Sequence, residues 1–373
     1  MTRFLWLDRL KQNTLRNQKI WSFLLLLLPA VAVIIVFLIA SRVPSQQLAL
    51  GNSQYQQTIL NNYFQQIGSL SLQQAENAIA QPAAIEIARA ATITALPQLN
   101  GQRRGLLLQF LAEANLLGKP TTLGQNSSIV PLKDANFSQA NLQQMILNQV
   151  QLAGVNLQEA VLHQTTLNQA NLQEANLQQA NLQEATLQQA NLQSTSLMRA
   201  NLSMANLENA DLQAANLRGA TLRGANLKEA NLNNAISDGV RLESANLEGA
   251  RLRKADLENA RLTRSTLNHT RFQQAILRGA TFQGAILDDV NFTGADLRAT
   301  LFRDAELKDV NLTRANLTRA DLRGAKLKNV QLQGANFSHV DLSKVTLEGV
   351  DLAAAIYCGT TMPDGTVNNS GCR

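Results

Sequence analysis

Aromatic residues are scarce: they make up 4% of a chain whose apolar fraction is 45%, and the apolar set is mostly Leu and Ala. That combination suits a narrow core repeated many times and argues against an irregular globule. Net charge is missing where it would matter for a polyanion. The formal charge of +6 comes entirely from residues 1–131, with 10 basic and 4 acidic residues, while residues 132–373 carry 23 of each. A neutral stretch is a poor electrostatic match for nucleic acid, whose binding needs a concentrated basic patch, so no nucleic-acid partner is expected. A glycine-rich phosphate loop is also missing. Cysteine is limited to Cys358 and Cys372, both within the last 16 residues. A disulfide between them would fasten the tail onto the end of the preceding fold in an oxidising compartment; two free thiols are the alternative.

A long hydrophobic run occurs once. Ile20 to Ala40 is a stretch of 21 residues without a charge, and at about 1.5 Å per residue such a helix crosses a hydrocarbon core of about 30 Å. A cleaved signal peptide has an apolar stretch of about 7–15 residues followed by a small-x-small site. This run is longer, and Leu38-Ile39-Ala40 offers no good site, so a permanent single-pass anchor over 20–40 is expected. Pro29 is tolerable there because lipid gives the backbone no better hydrogen-bonding option. Arg3, Arg9, Lys11, Arg16 and Lys19 precede the run against Asp8, and only Arg42 follows it before Glu76. The positive-inside rule leaves 1–19 as a cytoplasmic, basic, amphipathic segment and sends the rest across, into a periplasm or a thylakoid lumen.

Over 41–129 the apolar spacing turns helical. Leu48, Tyr55, Ile59, Tyr63, Ile67 and Leu70 fall three, four or seven apart, as on one helix face. Ser71 with Gln74 resembles a capping box, Pro82 and Pro97 punctuate, and Gly118-Lys119-Pro120 is a stop after the run from Arg103 to Leu117. A short helical bundle is expected, which would also cover the otherwise open first coil of the repeats beyond Val130. Its apolar stripe packs within the bundle or on that coil, or else mediates self-association near the membrane.

From Leu132 the chain repeats every five residues, as in Asn171 to Ala175 and Asn216 to Ala220. Of the 46 pentad centres from 132 to 357, 44 are Leu or Phe, the exceptions being Ser237 and Tyr357. Two residues before each centre stands Ala, Val, Thr or Ser, except at Met145. Neither a period of 3.6 nor one of 2 holds such a pattern on one face. A chain that turns a corner every pentad does, with the central and the small residue pointing inward. Four sides then make a coil of about 20 residues, and roughly 11.5 coils at about 4.8 Å each make a rod of roughly 55 Å. A second large residue per side would overpack the interior, which leaves no room for a substrate. Ser237 predicts a void, a water or a bulge. Met145 predicts an irregular start, and Phe272, Phe282, Phe292 and Phe302 predict two facing stacks.

These A-(N/D)-L-x-x runs resemble the pentapeptide repeat family over about 60% of the chain, a fraction fit for a solenoid domain. The resemblance implies a mainly β fold, a right-handed quadrilateral β-helix over 130–359, with 360–373 as a tail or cap. Ala88 to Leu96 with Leu99 to Leu111, and the end from Tyr357 to Thr366, are similar to stretches of bacterial, especially cyanobacterial, members. Most such proteins have no assigned biochemical activity.

Outward residues sort by side. The side centred on 147, 167, 187 and onward carries 8 acidic residues, among them Glu208, Glu229, Glu248, Asp288, Asp289 and Glu306, against 4 lysines. That makes it a candidate docking face for a protein partner, with solvated mixed charge as the alternative. The side centred on 142, 162 and 182 leans basic through Arg223, Arg241, Arg261, Arg264, Arg303 and Arg323. His163, His269 and His339 fall on three different sides, so no metal site is expected, and no Ser, His and Asp set converges. Asp288 and Asp289 are adjacent and outward, a poor arrangement for acid and base work. Catalytic, cofactor and metal residues are therefore expected to be none. The expected function is a membrane-tethered, non-enzymatic scaffold. A DNA-mimicking inhibitor of a DNA-binding enzyme, a role some family members have, would need a strongly acidic rod.

Overall fold

The computed structural model describes residues 50–77, 82–117 and 130–372. The expected segments 1–19 and 20–40 and the stop at Gly118 to Pro120 lie outside the described residues. Among the described residues no helix is long and apolar enough to cross a membrane. The chain divides into two compact units, Met1–Pro131 and Leu132–Arg373.

The first unit contains α1 (Leu50–Asn77), α2 (Pro82–Ala95), a 3-10 turn (Leu96–Gln98) and α3 (Gly101–Glu113). Pro82 opens α2, where its missing N–H removes a donor that would have no partner. Asn100 caps α3, its Oδ1 accepting from the Arg103 N–H at 3.0 Å, which satisfies one of the free amides of the first turn. Leu60, Tyr63, Phe64 and Ile67 of α1 are buried, as are Leu107, Leu108, Phe110 and Leu111 of α3. The Phe64 and Phe110 rings lie 4.6 Å apart. Two expectations need correction. The buried stripe of α1 runs through 60, 63, 64 and 67, leaving Tyr55 58% exposed and donating its hydroxyl to Gln98 at 2.8 Å. No helix starts at Ser71, because α1 passes through it to Asn77.

The second unit is a β-helix. Each pentad pairs in parallel with the residue 20 further on, as Asn156 with Asn176 and Asn176 with Ser196, so four pentads make one coil. The ladder is carried by bonds such as Leu157 N–H to the Asn176 carbonyl at 2.7 Å and Asn176 N–H to the Val155 carbonyl at 2.9 Å. Within a pentad the Ala160 N–H bonds the Leu157 carbonyl at 3.0 Å, closing a β-turn whose third residue, Glu159, has φ 56°. That left-handed residue is what lets the chain turn every five positions. On one side the pattern changes late in the rod. β1 (Ile286–Asp288), β2 (Glu306–Lys308), β3 (Lys326–Lys328) and β4 (Thr346–Glu348) form a four-stranded parallel sheet in strict 20-residue register.

Central and small positions face inward. Phe272 stacks on Phe292 at 5.0 Å and Phe282 on Phe302 at 4.9 Å, and the two columns meet edge to face. Where Thr replaces Ala at the small position, its hydroxyl donates to the carbonyl of a central Leu one coil back: Thr165 to Leu142 and Thr195 to Leu172, both at 2.7 Å. A polar atom is thus buried with its partner. Ser237 is buried at 1% exposure and its Oγ has no partner. The expected bulge is absent there, since Ile236 still pairs with Asp256 in register. Met145 does not disturb the start either. It is half-buried, so it does not overfill the lumen, and its N–H closes the usual turn to Leu142.

The rod ends in a 3-10 turn (Leu352–Ala354) and a small antiparallel pair, β5 (Thr360–Thr361) with β6 (Val367–Asn368). Tyr357 occupies the last central position, 3% exposed, and donates its hydroxyl to the Leu352 carbonyl at 2.6 Å. Cys358 and Cys372 form a disulfide across this tail.

Candidate functional site

With stacked Leu, Phe and Ala filling the coils, the chemistry available to a partner lies on the outside. Two kinds of order run along it. Asn side chains just before the centres fold back to accept the amide two residues on, as Asn156 does from Gln158 at 3.1 Å, and pass an N–H to the Asn one coil earlier, as Asn156 to Asn136 at 3.1 Å. Gln residues at the left-handed position form a second ladder, Gln149 to Gln169 to Gln189 at 2.9 Å each. These amides hold one another and bring no charge of their own to the surface.

The six acidic residues singled out on one side do come together there, but not as a free anionic face. Glu248 accepts from Lys228 at 2.9 Å, Asp288 from Lys308 at 3.0 Å and Glu306 from Lys326 at 2.8 Å, each one coil away. Asp289 lies 2.9 Å from His269 Nδ1. Glu208 accepts from the Gln188 amide at 3.3 Å. Lys228 feels Glu248 first and then Glu208 and Glu229, which together raise its pKa. The face is a partly neutralised ladder because residues 20 apart in sequence become neighbours.

The side centred on 142 and its successors carries the tightest carboxylate. Asp321 accepts two bonds from the Arg323 guanidinium at 2.9 and 2.7 Å and is also bonded by Arg303. The Arg323 guanidinium, helped by Arg303 and against the effect of burial, holds the Asp321 carboxyl far below the usual carboxylate range. Among the described residues no group of His, Cys, Asp and Glu could hold a metal ion. His163 bonds the Gln183 carbonyl at 3.0 Å, and Asp288 and Asp289 turn to different partners, so they do not act as a pair.

Sorting charge by side missed a cluster of four residues. Arg251, Arg253, Lys254 and Arg271 share the side centred on 232, 252 and 272, all exposed, and among the described residues none of their side chains makes an ion pair or hydrogen bond. The signal was available as the absence of any acidic residue on that side between Asp211 and Asp351.

Comparison with known proteins agrees with this architecture. The pentapeptide repeat region family matches residues 162–242 and 235–312, and pentapeptide repeats in eight copies match 135–173 and 315–353. The chain belongs to the pentapeptide repeat family. Among solved structures, HetL of the cyanobacterium Nostoc sp. strain PCC 7120, a pentapeptide repeat protein involved in heterocyst differentiation regulation, is 32% identical. That match covers 61% of this chain and 93% of HetL, with a TM-score of 0.27. QnrB1, a plasmid-mediated fluoroquinolone resistance protein, is 20% identical over 46% of this chain and 91% of its own, with a TM-score of 0.32. A thylakoid-lumen pentapeptide repeat protein of Arabidopsis thaliana is 28% identical over 34% and 70%, with a TM-score of 0.18. At such TM-scores membership rests on the repeat itself. No curated protein matches the chain.

Proposed function

We propose that the protein is a non-enzymatic interaction scaffold: a right-handed, four-sided rod of roughly 11.5 coils, tethered by a single membrane helix over 20–40 and presented to a protein partner on the extracytoplasmic side. The observation that carries the reading is the solid lumen, lined at one centre after another by fully buried residues such as Leu192, Leu212, Leu252 and Phe292. A rod without an interior acts through its sides. The Cys358–Cys372 disulfide supports an oxidising compartment, and the basic run before Ile20 supports the orientation. On the acidic side, Glu208 and Glu229 are the carboxylates bonded to neither a lysine nor a histidine among the described residues, and they are the part of that face offered to a partner. Self-association would use the groove of about 450 Å³ between α1 and α2, lined by Ile59, Tyr63, Ile87 and Ala91. A DNA-mimicking role is disfavoured by the neutral repeat region.

Protease added to the cytoplasmic face of intact membranes is expected to remove only residues 1–19, with the rod protected until the membrane is breached. Rapid digestion of the rod from that face would overturn the placement. Partner capture by the full chain, repeated with charge reversal at Glu208, Glu229 and Glu248, tests the acidic side; unchanged capture would exclude it.

A further inference from the structure

We infer that the side centred on Leu232, Leu252 and Phe272 docks a carboxylate-rich segment of a protein partner through Arg251, Arg253, Lys254 and Arg271. The inference rests on the scaffold reading above and adds the partner's chemistry. Several coils set opposite charges against each other, as Lys228 with Glu248, Arg278 with Glu258 and Lys326 with Glu306, and where Arg241 stacks on Arg261 and Lys308 on Lys328, Arg241, Lys308 and Lys328 each have a carboxylate of their own. Arg251 instead pairs in register with Arg271, so like charge follows like charge at a backbone spacing of about 4.8 Å. Arg253 and Lys254 add two more cations beside them, and no acidic residue stands on that side for seven coils between Asp211 and Asp351. Uncompensated like charge repels, and an anionic partner relieves it.

The shape suits such a partner. A depression of about 490 Å³ is lined by Arg251, Arg253 and Arg271 together with Asn233, Gln273 and Thr293. A smaller one of about 180 Å³ shares Arg253 and Asn233 and reaches Lys254. Guanidinium forks take carboxylates two bonds at a time, and the flanking amides both donate and accept, as a peptide backbone requires.

Other occupants fit less well. The four cations span only two coils, and Glu229, Asp256 and Asp289 stand on the adjoining sides, whereas a nucleic acid needs a longer basic track. A second copy is a weaker match: among the described residues its acidic side leaves only Glu208 and Glu229 bonded to neither a cation nor a histidine, two carboxylates against four cations. Carboxylates that bond to amides in place of a cation, such as Glu159, Glu174, Glu184, Glu208 and Asp211, are spread over all four sides.

The test is fluorescence anisotropy of a labelled hexaglutamate peptide with the solubilised full chain, compared with R251Q/R253Q/R271Q and with R261E/R264E on the opposite side. Because residues 1–19 are themselves basic, the readout is the difference between variants. The triple variant is expected to bind about tenfold more weakly, with R261E/R264E within about twofold of wild type and all three melting alike. Equal binding by the triple variant overturns the proposal. So does tighter binding of hexathymidylate or of phosphatidylglycerol vesicles than of hexaglutamate at the same sites. A partner captured equally by wild type and triple variant leaves the scaffold reading standing and sinks this one. Hexaglutamate binding lost in the triple variant, with no partner captured by wild type, tells against the scaffold alone.

Discussion

Asp321 shows how one residue's chemistry is set by neighbours distant in sequence. Its carboxyl is held down first by Arg323 and then by Arg303, 18 residues away. Because the folded state depresses this pKa, the associated stability is present above the unfolded carboxylate range of about 4 and is lost as pH falls toward the folded value. D321N is therefore expected to lower the melting temperature at neutral pH, by the equivalent of about 1.5–3 kcal/mol. The gap to wild type should shrink below about pH 4; a gap independent of pH would contradict the assignment. Ser237 is the opposite case, a small polar side chain in a slot flanked one coil either way by Leu217 and Leu257. Its hydroxyl is buried without a partner. S237L is expected to raise stability by about 1–2 kcal/mol, read as a higher urea midpoint with an unchanged slope. A lower midpoint would mean that the coil has closed around the serine.

At the scale of elements, the pentads that carry β1 to β4 still turn through a left-handed residue, Asp289, Asp309, Asn329 and Gly349, so the short strands lengthen the ladder without changing how the chain turns its corners. β1 to β4 keep the inward Leu287, Leu307, Leu327 and Leu347 in line while Asp288, Lys308, Glu306 and Lys326 alternate along the outside. The tail is held differently. Between Cys358 and Cys372 it contributes the two-residue strands β5 and β6 and a single parallel bridge from Thr361 to Asp341, a short run of backbone pairing that the disulfide closes. A closed loop of about 15 residues stabilises by about 3 kcal/mol through chain entropy. C358S/C372S is expected to make the tail accessible to limited proteolysis while the circular dichroism of the repeats is retained. Loss of the whole β signal would show that the tail is needed for the rod.

Across the whole molecule, the repeat region has no net charge yet is not uniform. Its acidic and basic residues are equal in number, but the sides differ in what remains unpaired after the coils close. Stability in a stack of nearest-neighbour units is close to additive. Ser237 and the disulfide are roughly six coils apart, about 29 Å on the strand spacing. Combining S237L with C358S/C372S is therefore expected to sum within about 0.5 kcal/mol. A larger deviation would show coupling along the rod.

The solenoid itself was legible in the sequence, because no regular helix or strand keeps a five-residue period on one face. The inward Leu, Phe and small residues followed from that, and so did the paired Phe columns. Three things waited for the tertiary structure. Which face of α1 is buried depends on where α3 lies, and a shift of one residue rotates a helix by about 100°; hence Phe64 is inside and Tyr55 outside. Ser237 and Met145 depended on whether the ladder bends around an odd side chain, and the backbone bonds on either side held it straight. Above all, which charges cancel is set by contacts 20 residues apart. Composition sees Glu248 and Arg251 only as opposite signs, and the coil alone decides that one meets Lys228 while the other meets Arg271.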